Sequence, residues 1–264
     1  MVNLNNIKHI YFLGIGGVGM SALARYFASK EYEVAGYDRN QSEICLSLEE
    51  VSCEISYVDC LESLSNSFKN PANVLVVYTP AIPADNILLG YFKSEGFTMY
   101  KRAEMLGAIT KNTQCLAIAG THGKTTISSL LAYILSDNSI DCSAFLGGFA
   151  SDFNSNLLIG SEPITVVEAD EFDRSFLQLY PNWALISSMD ADHLDIYGTA
   201  AHLEKSFQLF ADKVKGGSLI AKEGLNVSAT YSYALNSDKA DFSALNIRVE
   251  DGAYHFDLKH PKGV

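Results

Sequence analysis

Apolar and polar residues alternate along this chain in two rhythms, one of strands and one of helices. Residues 8–13 read as a strand, after which Met20, Leu23, Ala24 and Phe27 recur at helical spacing. A second strand spans 33–37, and VLVVY at 74–78 is an almost unbroken apolar run. Runs of that kind belong to strands covered on both faces, so the pattern predicts a parallel sheet flanked by helices. Thr79-Pro80 closes the run, and Pro83 blocks an early helix. Residues 101–113 read as a short helix and a polar link. The pattern then restarts with a strand at 114–119, a glycine-rich turn, and a helix with Ile127, Leu130, Leu131 and Ile134 on one face. Further strands are predicted at 164–168 and 183–187, a helix at 200–214, and a hairpin at Asp251-Gly252. Two strand–glycine turn–helix starts argue for two α/β units, with the boundary near 107–113.

Each glycine turn suits an anion. In the first, Gly14, Gly16 and Gly19 fit G-x-G-x-x-G between a strand and a helix. Such glycines let a diphosphate approach the backbone at a helix N-terminus. Gly17, Met20 and Ser21 belong to the same turn. Asp38 follows the second strand, where a ribose-binding acid stands in dinucleotide folds. The turn by itself suits NAD, another diphosphate, or no ligand. The second turn reads LAIAGTHGKTT. Backbone N–H groups from Gly120, Thr121, His122 and Gly123 through Thr126 can wrap a triphosphate. Lys124 can reach its outer phosphates, and the Thr125 hydroxyl can ligate Mg²⁺. The loop departs from the common G-x-x-x-x-G-K-[ST] spacing, because Ile118 stands five positions before Gly123.

Two acidic segments follow predicted strands. The first is EADEFD, from Glu168 to Asp173; a carboxylate at the end of a parallel strand lies where phosphate loops open. In the second, SMDADHLDIYG, His193 stands among Asp190, Asp192 and Asp195. That company suits Mg²⁺ or Mn²⁺, and the spacing is not that of a zinc site. The alternative for either segment is a solvated loop.

Taken in order, GIGGVGMSALA, TPAIP, KRAEML, AGTHGKTT, EADEFDRSFLQL and DADHLDIYG resemble the Mur ligases, and most closely the members that add L-alanine. The resemblance implies a Rossmann-like, parallel-sheet UDP-sugar-binding domain over 1–108. A P-loop α/β ATPase domain over 109–264 would follow, truncated at Val264, with a C-terminal amino-acid-binding domain absent. It assigns the first turn to the UDP-sugar instead of NAD. The partners it implies are UDP-N-acetylmuramate, L-alanine and ATP with Mg²⁺ or Mn²⁺, in peptidoglycan synthesis. Lys124, Glu168 and His193 would be catalytic, and Thr125, Glu168 and His193 would hold metal. Gly147 and Gly148 resemble a glycine pair near the sugar substrate. Relatives often carry Asn where Ser188 stands and Ser where Phe172 stands. Several carbamylate a lysine where Phe207 falls here, so no carbamylated lysine is expected; Lys205 lies two residues before it. The other readings are a relative that attaches an intact peptide to UDP-N-acetylmuramate, an NAD-dependent dehydrogenase, and a non-catalytic sugar-nucleotide-binding module. By themselves, residues 1–264 are expected to bind the sugar nucleotide without ligating alanine.

The bulk properties narrow these choices. A formal net charge of −12 over 264 residues repels nucleic acid, so any anionic ligand must be met by local donors. The five cysteines form no C-x-x-C pair, which argues against a disulfide framework or structural zinc and for a reducing compartment. With no basic n-region followed by a long apolar stretch, and no run long enough to span a bilayer, a soluble cytoplasmic protein is expected. His9, His202, His255 and His260 read as surface residues.

Overall fold

The computed structural model describes residues 6–150, 153, 155–190 and 197–263. Two sheets carry the fold. The first is built from β1 (His9–Leu13), β2 (Glu33–Tyr37), β3 (Glu54–Ser56), β4 (Val74–Tyr78) and β5 (Thr98–Lys101). Its order is β3-β2-β1-β4-β5 and every pairing is parallel. The strand alternation explains why it is covered twice. Ile10, Phe12, Leu75 and Val77 pack with Met20, Leu23 and Phe27 of α1 (Val18–Ser29). Tyr11, Leu13, Val74 and Val76 point the other way, onto Leu88, Leu89 and Phe92 of α3 (Ile87–Ser94). Between β2 and β3 lies α2 (Glu43–Glu49), capped by the Ser42 hydroxyl. After β5 comes α4 (Arg102–Thr110), and the link to the second sheet is residues 111–113.

The second sheet comprises β6 (Gln114–Ala119), β7 (Ser143–Ala150), β8 (Ser155–Leu158), β9 (Ile164–Ala169), β10 (Trp183–Ile186), β11 (Leu219–Lys222), β12 (Tyr231–Leu235), β13 (Phe242–Glu250) and β14 (Ala253–Lys259). Its order is β14-β13-β12-β11-β10-β6-β9-β7-β8. All pairings are parallel except β7 with β8 and β13 with β14. The β13–β14 hairpin turns at Asp251 and Gly252, both left-handed (φ 50° and 79°), as a two-residue hairpin requires.

The helices α5 (Lys124–Asp137) and α6 (Ala200–Ala211) flank this sheet. The expected apolar face of α5 is corrected. Its buried residues are Ser128 and Ala132, with Leu131 and Leu135 packed beside them, while Leu130 and Ile134 are exposed. Small side chains let α5 lie close on β7 and β9, and that contact sets the buried face. In α6, Phe207 is fully buried and meets Phe176 edge-on at 5.3 Å; Phe176 stacks on Phe210 at 5.0 Å. Lys205 is exposed. His9 is also corrected: its ring is mostly buried, lies 2.9 Å from Glu33 and meets Phe68 edge-on. None of the described helices is long and apolar enough to cross a membrane.

Candidate active site

Both glycine turns open at the carboxyl ends of central strands. The first lies at β1, between β2 and β4, where the connections leave in opposite directions; such switch points form ligand crevices. Gly14 adopts φ +85°, a conformation that favours glycine, and a side chain there would also run into Thr79. Asp38 at the end of β2 accepts the Gly16 N–H at 2.8 Å with one oxygen and the Asn40 N–H at 3.2 Å with the other. A Cβ on Gly16 would collide with this carboxylate and with Cys45. Val18 and Gly19, the first two residues of α1, donate to no partner among the described residues. These two N–H groups and the helix dipole are available to an anion. They face a cavity of about 780 Å³ lined also by Gly14, Gly16, Gly17, Met20 and Asp38. Ser21 is not among the residues lining this cavity. Its buried hydroxyl donates to Val18 O, and Asn156 Nδ2 on β8 donates to both Val18 O (2.5 Å) and Ser21 Oγ (3.1 Å).

The second turn follows β6. Gly120 (φ +134°) passes so close to Ser187 and Ser188 that a side chain has no room, and Gly123 (φ +80°) caps α5. The segment after β10 straps the loop from the side. The Ser188 hydroxyl accepts the His122 N–H at 2.8 Å and pairs with the Thr121 hydroxyl at 2.9 Å. The Ser187 hydroxyl donates to His122 O. The Thr121 N–H donates to Ser188 O at 3.2 Å, so the Thr121 and His122 donors are used, while the N–H groups of Gly123, Lys124, Thr125 and Thr126 have no partner among the described residues. Four convergent donors at the head of a 14-residue helix make an anion cradle. The His122 imidazole is exposed, 3.6 Å from Asp190. Lys124 donates to Gly120 O (2.8 Å) and to both oxygens of buried Glu171 (2.9 and 2.8 Å).

Glu168, the penultimate residue of β9, is in register with Ile118, beside the strand that feeds the loop. One of its oxygens accepts the Gly147 N–H at 2.8 Å, and a Cβ on Gly147 would sit 2.3 Å from the other. Gly148 borders the Thr125 methyl. The glycine pair thus belongs to the phosphate-loop side of the site, not to the first cavity. A second cavity of about 360 Å³ contains Gly19, Lys124, Gly147 and Glu168, and so joins the two turns. Arg102 is the cation shared by the two cavities. It lies against Gly19 and 3.9 Å from Asp170. Arg102 and Glu171 were not singled out in the sequence. Arg102 stands inside KRAEML, at the start of a predicted helix, and Glu171 inside the acidic run; neither position has a periodic signature. His193, with Asp192 and Asp195, lies outside the described residues. Among the described residues no group of three His, Cys, Asp or Glu is placed to hold a metal.

Comparison with known proteins agrees with this arrangement. The family described as "Mur ligase family, catalytic domain" matches residues 9–114, and "Mur ligase middle domain" matches residues 118–263. The chain belongs to the Mur ligase family. Among curated Mur ligases, the UDP-N-acetylmuramate–L-alanine ligase of Christiangramia forsetii is 51% identical over 99% of the chain and 58% of its own length. That of Parabacteroides distasonis is 45% identical over 99% of the chain and 58% of its length. The chain therefore spans under two thirds of these relatives. The fold is that of a Thermotoga maritima UDP-N-acetylmuramate–alanine ligase (TM-score 0.82, 22% identity, 96% of this chain and 58% of that one). It is equally that of a Neisseria ligase joining UDP-N-acetylmuramate to L-alanyl-γ-D-glutamyl-meso-diaminopimelate (TM-score 0.83, 21% identity, 96% and 84%).

Proposed function

We propose that the protein containing this chain joins L-alanine to the lactyl carboxylate of UDP-N-acetylmuramate at the expense of ATP. Residues 1–108 would hold the sugar nucleotide and 109–264 the ATP. The observation that carries this reading is the continuity of two anion cradles through one cavity that contains Arg102, Lys124 and Glu168. The diphosphate would lie on the Val18 and Gly19 N–H groups, and the triphosphate on those of residues 123–126. The lactyl carboxylate would then lie between them, beside Arg102.

A free carboxylate is a poor electrophile, which is why ATP is needed. One carboxylate oxygen attacks the γ-phosphorus, the bond to the bridging oxygen breaks, and ADP leaves with its electron pair. The amine of alanine then attacks the acyl carbon and loses a proton, and phosphate departs. Lys124 and the loop N–H groups stabilise charge on the transferring phosphoryl group. Glu168 and the Thr125 hydroxyl, on either side of the Gly147-Gly148 pair, are hard oxygen donors that suit magnesium. With His193 they would hold it, and the ion would neutralise phosphate charge. The test is phosphate release by the full-length protein given ATP–Mg²⁺, UDP-N-acetylmuramate and L-alanine. Release that needs all three is expected. A preference for an intact tripeptide over alanine would overturn the reading, as would NADH binding without UDP-sugar binding.

A further inference from the structure

The Lys124 ammonium has three N–H donors, and all three are used: one on Gly120 O and two on the Glu171 carboxylate. The pair is shielded, with the Lys124 side chain 13% exposed and that of Glu171 0%. Glu171 is held firmly in turn. Its carbonyl oxygen accepts the Tyr197 hydroxyl at 2.5 Å and the Arg174 N–H at 2.9 Å. The next turn keeps Asp173 and Arg174 both left-handed (φ 51° and 56°), a costly conformation for residues with side chains. The carboxylate is thus a fixed acceptor at the floor of the phosphate loop.

We propose that Glu171 is a positioning residue for Lys124, withholding its charge from the bound triphosphate until phosphoryl transfer begins. This rests on the ligase reading. With its donors filled, Lys124 can meet a phosphate oxygen only by giving up a carboxylate oxygen. Exchanging one anion for another adds little to ground-state binding. It adds more once negative charge grows on the leaving oxygen, and interactions that strengthen only in the transition state raise kcat. Glu171 therefore weakens nucleotide binding; without it the ammonium settles on a ground-state phosphate oxygen off the transfer path, the triphosphate is held more tightly before transfer than during it, and turnover slows.

The experiment compares the full-length protein with Glu171→Gln and with the shorter carboxylate Glu171→Asp. Melting curves and UDP-N-acetylmuramate titrations confirm that each variant is folded. For Glu171→Gln, the KM for ATP falls at least about fivefold, because Lys124 no longer has to be released. Its kcat falls about 10²-fold. Glu171→Asp restores part of both. An unchanged or raised KM overturns the proposal, and so does a lowered KM with unchanged kcat, which would make Glu171 a mere competitor. If the wild type releases no alanine-dependent phosphate, the ligase reading fails on its own. An ATP titration then decides Glu171: tighter binding by Glu171→Gln supports its hold on Lys124, and equal binding removes it.

Discussion

The two glycine turns share one local plan, strand then turn then helix, yet neighbouring strands finish them differently. The first takes a carboxylate from β2, with Asp38 on the Gly16 N–H. The second takes neutral hydroxyls from the segment after β10, with Ser187 and Ser188 around Thr121 and His122. A carboxylate beside the first cradle limits how much anionic charge it accepts, which suits a diphosphate. The hydroxyls brace the second without adding charge, and the cation there, Lys124, is already paired with the Glu171 carboxylate. A glycine motif thus announces an anion, while the residue arriving from the adjacent strand end tunes which one.

Substitutions can break or sharpen this contrast. The largest effect is expected from Lys124→Gln: kcat falls about 10²–10³-fold in a phosphate-release assay while UDP-N-acetylmuramate affinity holds. Equal losses of both would mean that the two cradles act as one. Next come the glycines themselves. Gly120→Ala forces a side chain into Ser187 at a left-handed φ of +134°. It should cost about 1–3 kcal/mol in denaturant unfolding. Gly19→Ala meets only the flexible end of Arg102, so stability should hold while calorimetry reads weaker UDP-sugar binding. Ser188→Ala removes the acceptor of the His122 N–H, costs about 1 kcal/mol of stability, and raises the KM for ATP severalfold.

The smallest effect concerns pH. Burial, reinforced by the Glu171 carboxylate, pushes the Tyr197 phenol up from 10.0 to about 12. A raised folded-state value means that this stabilisation is complete below pH 10 and is lost as pH rises toward 12. Melting temperatures should decline over that interval, and Tyr197→Phe should flatten the decline.

Much of this was legible in the sequence where a strand is central and apolar. The spans of β2, β4 and β6 match the readings residue for residue, as does the Asp251-Gly252 hairpin. Strands with a weak apolar signal were not read. β3 has three residues, and β7 carries two glycines that dilute its alternation. The face of α5 was misread because apolar count favoured Leu130 and Ile134, whereas close packing selects small residues. In the site, Lys124, Glu168 and the glycines were read from motif and spacing. Arg102, Glu171 and the Ser188 strap were not, because their partners lie far along the chain and meet only after folding.

Asn156 joins parts of the molecule that belong to different sheets. By gripping Val18 O and Ser21 Oγ, it fastens the amino end of α1 to β8, and Tyr26 farther along α1 packs on Phe145 of β7. Rotation about residues 111–113 would shear these contacts before disturbing any strand pairing. The first glycine turn is thereby pinned to the second sheet at the amino end of α1, which fixes its distance from the phosphate loop.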